Sequence, residues 1–175
     1  MSLYVFGYGS LMWRPGFPFE DRMFATVRGR HRRLCVYSWV HRGTQERPGL
    51  VLGLDRGGAC RGIVFRVAEE NRDEVVTYLR AREQVTMVYR EVHVTAQLDD
   101  GTSVTALTYV VDRKHPQYAG GLSLDETFRQ VSGAVGRSGP NEEYVLSTAD
   151  LLTEAGIADP RLHGLALRLR QRDAA

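Results

Sequence analysis

Strand patterns come first in this chain and helix patterns come last. That order excludes the fold classes in which strands and helices alternate along the chain. Short apolar or alternating segments fill the first two-thirds of the 175 residues, and amphipathic helical segments fill the last third. A doubly wound nucleotide-binding fold is disfavoured because its strand–helix alternation is absent. We predict an α+β protein with a mainly antiparallel sheet or barrel and flanking helices. The length indicates a single domain over residues 1–175.

Two turn signals divide the strand-rich part into hairpins. The predicted strands are residues 3–6, 24–27, 34–39, 50–54, 60–67, 89–98 and 102–111. Residues 55–58 read Asp-Arg-Gly-Gly and residues 99–101 read Asp-Asp-Gly. Such residues favour tight turns, so each segment predicts a hairpin between the strands on either side of it.

Helix signals appear once within the strand-rich part and three times after it. Residues 71–82 are predicted to be helical, with Asn71 and Glu74 as a capping box. Ser123 and Glu126 form a second capping box before another helical segment. The last two helices are predicted to begin near Pro140 and at Pro160.

Charge and cysteine content narrow the class of protein. Lys and Arg total 23 and Asp and Glu total 21, so the net charge of +2 argues against a strongly basic nucleic-acid binder. No apolar run reaches the roughly 18 residues of a membrane span, and the N-terminus resembles no signal peptide. Cys35 and Cys60 are too few for a disulfide framework and predict buried, reduced thiols. We therefore expect a cytoplasmic protein with no nucleic-acid or membrane partner.

A buried strand that runs into two closely spaced glycines is the first candidate site. Residues 5–11 read Val-Phe-Gly-Tyr-Gly-Ser-Leu. Glycines permit a sharp turn that aims successive backbone N–H groups at one point, and such a nest binds a carboxylate or a phosphate. An ordinary tight turn at the end of a strand is the alternative interpretation. The segment matches neither a Rossmann fingerprint nor a Walker loop, since the third glycine and the Gly-Lys-Ser/Thr are missing.

A glutamate at the end of an apolar helix face is the second candidate. Val76, Leu79 and Glu83 are spaced at i, i+3 and i+7 and share one face. Burial and the negative end of the helix dipole would both raise the pKa of Glu83, as a general base working near neutral pH requires. The alternative is a helix that ends by Arg82 and leaves Glu83 in a solvated loop. Periodicity alone does not separate the two.

No other motif of a catalytic or metal site is present. Five histidines lie apart without metal-ligand spacing, at His31, His41, His93, His115 and His163. No Gly-x-Ser-x-Gly elbow supports a hydrolase nucleophile. Four arginines alternate on a probable strand, at Arg28, Arg30, Arg32 and Arg33. Such a row is usually a solvated face, although an inward arginine could pair with a substrate carboxylate.

Five segments of the chain form a characteristic series of motifs. The motifs are Val-Phe-Gly-Tyr-Gly-Ser-Leu-Met-Trp at 5–13, Arg32-Arg33 with His-Arg-Gly at 41–43, Gly-Ile-Val-Phe-Arg at 62–66, Tyr-Leu-Arg-Ala-Arg-Glu at 78–83 continuing through Val85 and Thr86 to Tyr89, and Asn-Glu-Glu-Tyr at 141–144. Together they resemble the ChaC family of glutathione-specific γ-glutamylcyclotransferases. The resemblance runs from Val5 to about Leu152 and is most specific in its first and fourth motifs. One departure is Tyr-Ala-Gly-Gly at 118–121, where the family often has Tyr-Leu-Gly-Pro.

The resemblance implies a γ-glutamylcyclotransferase-like fold and a set of site residues. Glu83 is then the acid/base residue, and residues 8–11 hold the α-carboxylate of the γ-glutamyl group. The substrate-binding residues are Val5, Phe6, Gly7, Tyr8, Gly9, Ser10, Leu11, Tyr118 and Tyr144. The last two would contribute pocket hydroxyls, and a core tyrosine is the alternative for each.

The resemblance also implies a reaction. Glutathione would be cleaved by attack of its own α-amine on its γ-carbonyl, giving 5-oxoproline and cysteinylglycine, with no metal, nucleotide or other cofactor. Two alternatives remain at this point. One is a cyclotransferase for other γ-glutamyl amines, and the other is a non-catalytic module that binds a small carboxylate.

Overall fold

The computed structural model describes residues 2–85 and 87–175, which form two compact units. The first comprises the chain up to Arg32 together with Leu54–His115, and the second comprises Arg33–Gly53 together with Pro116–Ala175. Thr86, which belongs to the fourth family motif, lies outside the described residues, and so does Met1. The single domain expected from chain length stays a prediction. Among the described residues no helix has both the length and the apolar character needed to cross a membrane.

The regular structure of the described residues follows the predicted order, with the last three helices after the barrel strands. The strands are β1 (Leu3–Gly7), β2 (Asp21–Ser38), β3 (Gly49–Val67), β4 (Tyr89–Leu98), β5 (Ser103–Val111), β6 (Val135–Gly136) and β7 (Gly139–Pro140). The helices are α1 (Arg72–Glu83), α2 (Leu124–Val131), α3 (Asn141–Glu154) and α4 (Pro160–Ala174). Single 3₁₀ turns lie at Ser10–Met12 and Glu69–Asn71.

Five strands close into a barrel in the order β1, β3, β2, β4, β5. In β1, Val5 faces Phe65 of the antiparallel β3 and Leu107 of the parallel β5. β4 and β5 form the predicted hairpin at residues 99–101, where Gly101 has a φ of 89°. An α+β fold with a mainly antiparallel barrel and flanking helices is therefore confirmed.

Helix α1 continues the buried interior of the first unit toward the candidate site. Val75 and Leu79 are fully buried on one face of the helix. Residues four apart lie above one another on a helix, so Glu83 extends the same stripe by one more turn. The helix thus ends with a carboxyl group on its buried side.

The hairpin predicted at residues 55–58 is wrong, because the segment lies inside the continuous strand β3. Gly57 and Gly58 have φ values of 101° and 68°, as glycines at irregularities within strands often do. Asp55 is 0% exposed and accepts a hydrogen bond from Arg113 Nε at 2.7 Å. A turn aspartate would instead face solvent.

Two smaller expectations also differ from the structure, and one is confirmed. The strands predicted at 24–27 and 34–39 are parts of one strand, β2. Asn71 precedes α1 but its side chain makes no capping hydrogen bond, because a 3₁₀ turn already leads into the helix. The capping box of Ser123 and Glu126 is present in both directions.

A buried asparagine fixes the start of α3 in the second unit. Asn141 is 0% exposed, and its side-chain amide pairs with both backbone groups of Leu50. Asn141 Oδ1 accepts from the Leu50 N–H, and Asn141 Nδ2 donates to the Leu50 carbonyl, each at 2.8 Å. Buried backbone groups are costly to leave unpaired, so this amide stabilises the unit.

We expect Asn141→Leu to lower the free energy of unfolding by about 2–4 kcal/mol, because it leaves two buried backbone groups unpaired. Asn71→Leu is the matched control, since the Asn71 side chain makes no capping hydrogen bond. We expect that control to cost only a few tenths of a kcal/mol. Urea denaturation of both variants measures the difference, and equal losses would contradict this role of the amide.

Candidate active site

The segment after β1 forms the sharp turn that both interpretations of residues 5–11 require. Met12 N–H donates to the Gly9 carbonyl at 2.9 Å, and Arg14 N–H donates to the Ser10 carbonyl at 2.8 Å. The N–H groups that begin a helical turn have no acceptor within it. Those of Gly9, Ser10 and Leu11 are therefore placed where an anion could accept from them, and their binding role stays a prediction.

Two glycines permit close packing at this turn, Gly7 against Leu11 and Gly62 against the facing strand β1. A Cβ on Gly7 would lie 2.9 Å from the Cβ of Leu11. A Cβ on Gly62, in the facing strand, would meet the Gly7 carbonyl oxygen and lie 2.8 Å from Cζ of Phe6. Contacts this short do not occur between ordinary side chains, so neither position has room for one.

A buried arginine, Arg32, donates hydrogen bonds to the backbone next to this turn. Arg32 is only 6% exposed. Its Nε donates to the Tyr8 carbonyl at 2.6 Å, and its Nη2 donates to the Arg61 carbonyl at 2.7 Å. A buried charge needs such hydrogen bonds, and here they fix the peptide that leads into Gly9. Arg32 is thus an inward arginine of the alternating row, and within this unit it binds backbone carbonyls.

Glu83 is the last residue of α1, with a side chain 18% exposed. The alternative in which the helix ends by Arg82 and Glu83 lies in a solvated loop is therefore wrong. Burial raises the pKa of the Glu83 carboxyl, and the charge of Arg82 partly opposes that rise. A carboxyl group with a raised pKa can take and return a proton near neutral pH.

A second carboxylate in the same unit, Glu91, has a pKa that is shifted in the opposite direction, downward. Arg80 donates two hydrogen bonds of 3.0 Å to Glu91, and Tyr109 Oη donates one of 2.7 Å. The bonds from Arg80 lower the pKa of Glu91, whereas burial raises that of Tyr109, which also senses the charge of Glu83. When two acids are shifted apart in this way, the one with the raised pKa is the candidate proton carrier.

Arg82 connects the turn to the glutamate, and its contact with Ser10 was not expected from the sequence. Its Nη2 donates to Ser10 Oγ at 3.0 Å, and its Nε lies 3.6 Å from Glu83 Oε1. Its Nη1 donates to the Arg14 carbonyl, the Pro15 carbonyl and Tyr78 Oη at 2.7, 3.1 and 3.0 Å. Ser10 and Glu83, both predicted site residues, are thus brought together through a residue that was not predicted.

Other predicted site residues have structural surroundings of their own. Val5 and Phe6 are fully buried in β1, so their side chains are not available to a ligand. Tyr144, in the second unit, accepts a hydrogen bond from the Leu52 N–H at 3.0 Å. Tyr118, also in that unit, forms an isolated β-bridge with Val36. Neither observation tests a role in binding substrate.

Among the described residues, the cysteines and the potential metal ligands form no additional site. Cys35 and Cys60 are buried and form no disulfide, as predicted. Within residues 2–85 and 87–175, no group of three or more His, Cys, Asp and Glu side chains could hold a metal ion. The candidate site consists of the turn after β1, Glu83 beside Arg82, and Glu91 bound by Arg80.

Comparison with known proteins gives the family. A family model described as ChaC-like protein matches residues 3–172. The chain belongs to this family. The ChaC-like relatives include the glutathione-specific gamma-glutamylcyclotransferase of Escherichia coli (strain K12), 32% identical over 169 residues that cover 97% of this chain and 73% of that protein. Glutathione-specific gamma-glutamylcyclotransferase 1 of Mus musculus is 36% identical over 159 residues, covering 89% and 71%.

A solved structure supports the ChaC-like fold. The crystal structure of a selenomethionine-labelled gamma-glutamyl cyclotransferase specific to glutathione, from yeast, has a TM-score of 0.86 with this chain. The match covers 97% of this chain and 96% of that one at 23% identity. At this identity the likeness establishes the fold, and the predicted family resemblance is confirmed by the family match.

Proposed function

We propose that this protein is a glutathione-specific γ-glutamylcyclotransferase. The α-amine of the γ-glutamyl group attacks the γ-carbonyl carbon and forms the C–N bond of a five-membered lactam. The amide bond to the cysteine nitrogen breaks, and that nitrogen leaves with a proton. The products are 5-oxoproline and cysteinylglycine. The observation that carries the proposal is a mostly buried glutamate with a raised pKa, joined through Arg82 to the turn after β1, in a ChaC-like chain.

Glu83 is the proton carrier in this proposal. An ammonium group cannot attack a carbonyl, so the base first removes a proton from the substrate amine. Glu83 then returns a proton to the departing nitrogen. The nucleophile is already tethered to the carbonyl, so orientation supplies much of the remaining rate enhancement. No group of the protein is covalently modified.

The turn of residues 8–11 binds the substrate α-carboxylate in this proposal. The N–H groups of Gly9, Ser10 and Leu11 precede the first hydrogen bond of the helical turn, and they are the donors that we assign to the carboxylate. Gly7 allows Leu11 of the turn to pack closely against it, because it has no Cβ. The roles predicted for Tyr118 and Tyr144 stay predictions, and replacing each tyrosine with phenylalanine tests them by its effect on KM.

The decisive experiment is incubation of the purified protein with glutathione, followed by measurement of 5-oxoproline and cysteinylglycine in equal amounts. Other γ-glutamyl amines serve as competing substrates. A higher kcat/KM for one of them would favour a cyclotransferase for other γ-glutamyl amines. The segment at residues 118–121, which departs from the family sequence, is the reason to test for such a difference in substrate preference. Binding of glutathione without any product would favour the carboxylate-binding module. The cytoplasmic location expected from the sequence stays a prediction.

We expect turnover to be independent of added metal. The proposed steps use only the substrate amine, Glu83 and backbone donors. Activity should therefore remain within about twofold after dialysis against EDTA, a change well under 1 kcal/mol in barrier height. Assays before dialysis, after dialysis and after readdition of zinc or magnesium measure it. Loss of activity that either metal restores would contradict the proposed mechanism.

A further inference from the structure

Arg82 is a well-connected side chain that the proposed reaction does not use. Its guanidinium reaches Ser10 Oγ, Tyr78 Oη and the carbonyls of Arg14 and Pro15, all within 3.1 Å. The acceptors come from the turn after β1, the segment that follows it and α1 itself. Such a planar fork fixes the geometry of several acceptors at once, which a single ammonium group cannot do.

We propose that Arg82 is a positioning residue that holds the carboxylate-binding turn against the helix end and places its positive charge beside Glu83. This inference rests on the proposed function for its catalytic meaning, and its geometry stands independently. Arg82 thereby has two separable tasks. Its hydrogen bonds set the position of Ser10, and its charge sets the pH at which Glu83 becomes a base.

The first task follows from where the hydrogen bonds end. Ser10 begins the 3₁₀ turn, and Arg14 and Pro15 lie two and three residues after its last residue, Met12. Holding both sides of the turn limits its movement relative to α1, which ends one residue after Arg82. A looser turn would bind the substrate carboxylate less tightly. Substrate affinity is therefore the quantity that these bonds control.

The second task follows from charge. Arg82 Nε lies 3.6 Å from Glu83 Oε1, and both side chains are mostly shielded from solvent. Among the described residues, Tyr109 of β5 also interacts with the charge of Glu83, and its hydroxyl is bound to Glu91 of β4, which in turn is bound by Arg80. A positive charge favours the ionised carboxylate. Removing it should raise the pKa of Glu83 further.

Two substitutions separate the tasks. Arg82→Lys keeps the charge and loses the fork, whereas Arg82→Met loses both. Arg72→Met is the matched control, since Arg72 is an exposed arginine of the same helix. Arg72 lies eleven residues, or about 16 Å of helix, away from Glu83, beyond the roughly 8 Å screening length at physiological salt. We measure KM for glutathione and the pH titration of the ¹³C-labelled Glu83 carboxyl, assigned with Glu83→Gln.

We expect KM to rise about tenfold in both Arg82 variants, as loss of these hydrogen bonds predicts. The titration midpoint of Glu83 should rise by about one pH unit in Arg82→Met and stay near the wild-type value in Arg82→Lys. The acidic limb of kcat/KM should move with that midpoint. Arg72→Met should change none of these quantities.

Unchanged KM and an unchanged midpoint in Arg82→Met would overturn the inference, and so would equal midpoint shifts in Arg82→Lys and Arg82→Met. The proposed function fails separately, if the wild-type protein makes no 5-oxoproline. The Glu83 titration needs no turnover, so it still tests the charge of Arg82 in that case. If Arg82→Met does not fold, a raised KM with an unshifted midpoint in Arg82→Lys supports the inference, and an unchanged KM overturns it.

Discussion

Glu83→Gln is expected to lower kcat for glutathione by roughly two to four orders of magnitude, the usual contribution of a general base. Glutamine keeps the size and hydrogen-bonding reach of the side chain but cannot take a proton from the substrate amine. Substrate affinity should change only a few fold, because we propose that the turn of residues 8–11 binds the carboxylate. Steady-state rates of 5-oxoproline formation and direct titration with glutathione measure the two effects separately.

Glu154→Gln is the matched control for this variant. Glu154 is also the last residue of a helix, α3, but its side chain is exposed. The two substitutions make the same chemical change at the same helical position, so burial is the main structural difference between them. Turnover of Glu154→Gln should equal that of the wild-type protein. Near-normal turnover of Glu83→Gln would show that another group carries the proton.

Glu83→Gln should also change how the free energy of unfolding depends on pH. Burial raises the pKa of Glu83 in the folded protein, so the folded state holds this proton more tightly than the unfolded state. The stability that this provides is complete below the unfolded pKa and is lost as pH rises through the folded pKa. Glu83→Gln should lack this loss and be at least as stable as the wild-type protein at neutral pH. Urea denaturation at several pH values tests this, and parallel pH profiles would contradict it.

N-acetylated glutathione is expected to give no detectable 5-oxoproline. Acetylation converts the attacking amine into an amide, whose nitrogen has no available lone pair, so the lactam cannot close. All other bonds of the substrate remain as they were. Glutathione assayed in parallel is the control. The loss should be complete, because it removes the nucleophile itself.

The products of that assay distinguish cyclisation from hydrolysis. Release of cysteinylglycine together with N-acetylglutamate would mean that water, not the substrate amine, attacks the γ-carbonyl. A comparable rate with both substrates would rule out the intramolecular mechanism. Mass spectrometry identifies the acid that is formed. In 5-oxoproline made from unmodified glutathione, the ring nitrogen is the α-amine nitrogen of the γ-glutamyl group.

Two similar turn signals had different outcomes, which shows how far local sequence predicts this fold. Asp-Asp-Gly at 99–101 closes the hairpin that it predicted. Asp-Arg-Gly-Gly at 55–58 does not, because Asp55 is buried and paired with Arg113, 58 residues further along the chain. Turn residues report local backbone preference. They cannot report a partner that only the folded barrel brings near.

The candidate site divides in the same way. The apolar stripe of α1 left Glu83 either on the buried side or in a solvated loop, and the structure decides for the buried side because the helix reaches that residue. Arg82 is adjacent in sequence, yet its partners Ser10 and Arg14 lie 72 and 68 residues away. Its spacing of four from Tyr78 was the local signal that could have drawn attention to it.

Gly62 determines a distance at the site, that between two neighbouring strands, without contributing a functional group. Because a Cβ there would meet the Gly7 carbonyl oxygen and the ring of Phe6, the absence of one methyl group sets how closely two strands approach beneath the turn. A single added carbon could therefore loosen substrate binding while every polar atom of the site remained in the chain. Surveys of mutants that consider only ionisable or hydrogen-bonding side chains would pass over this position.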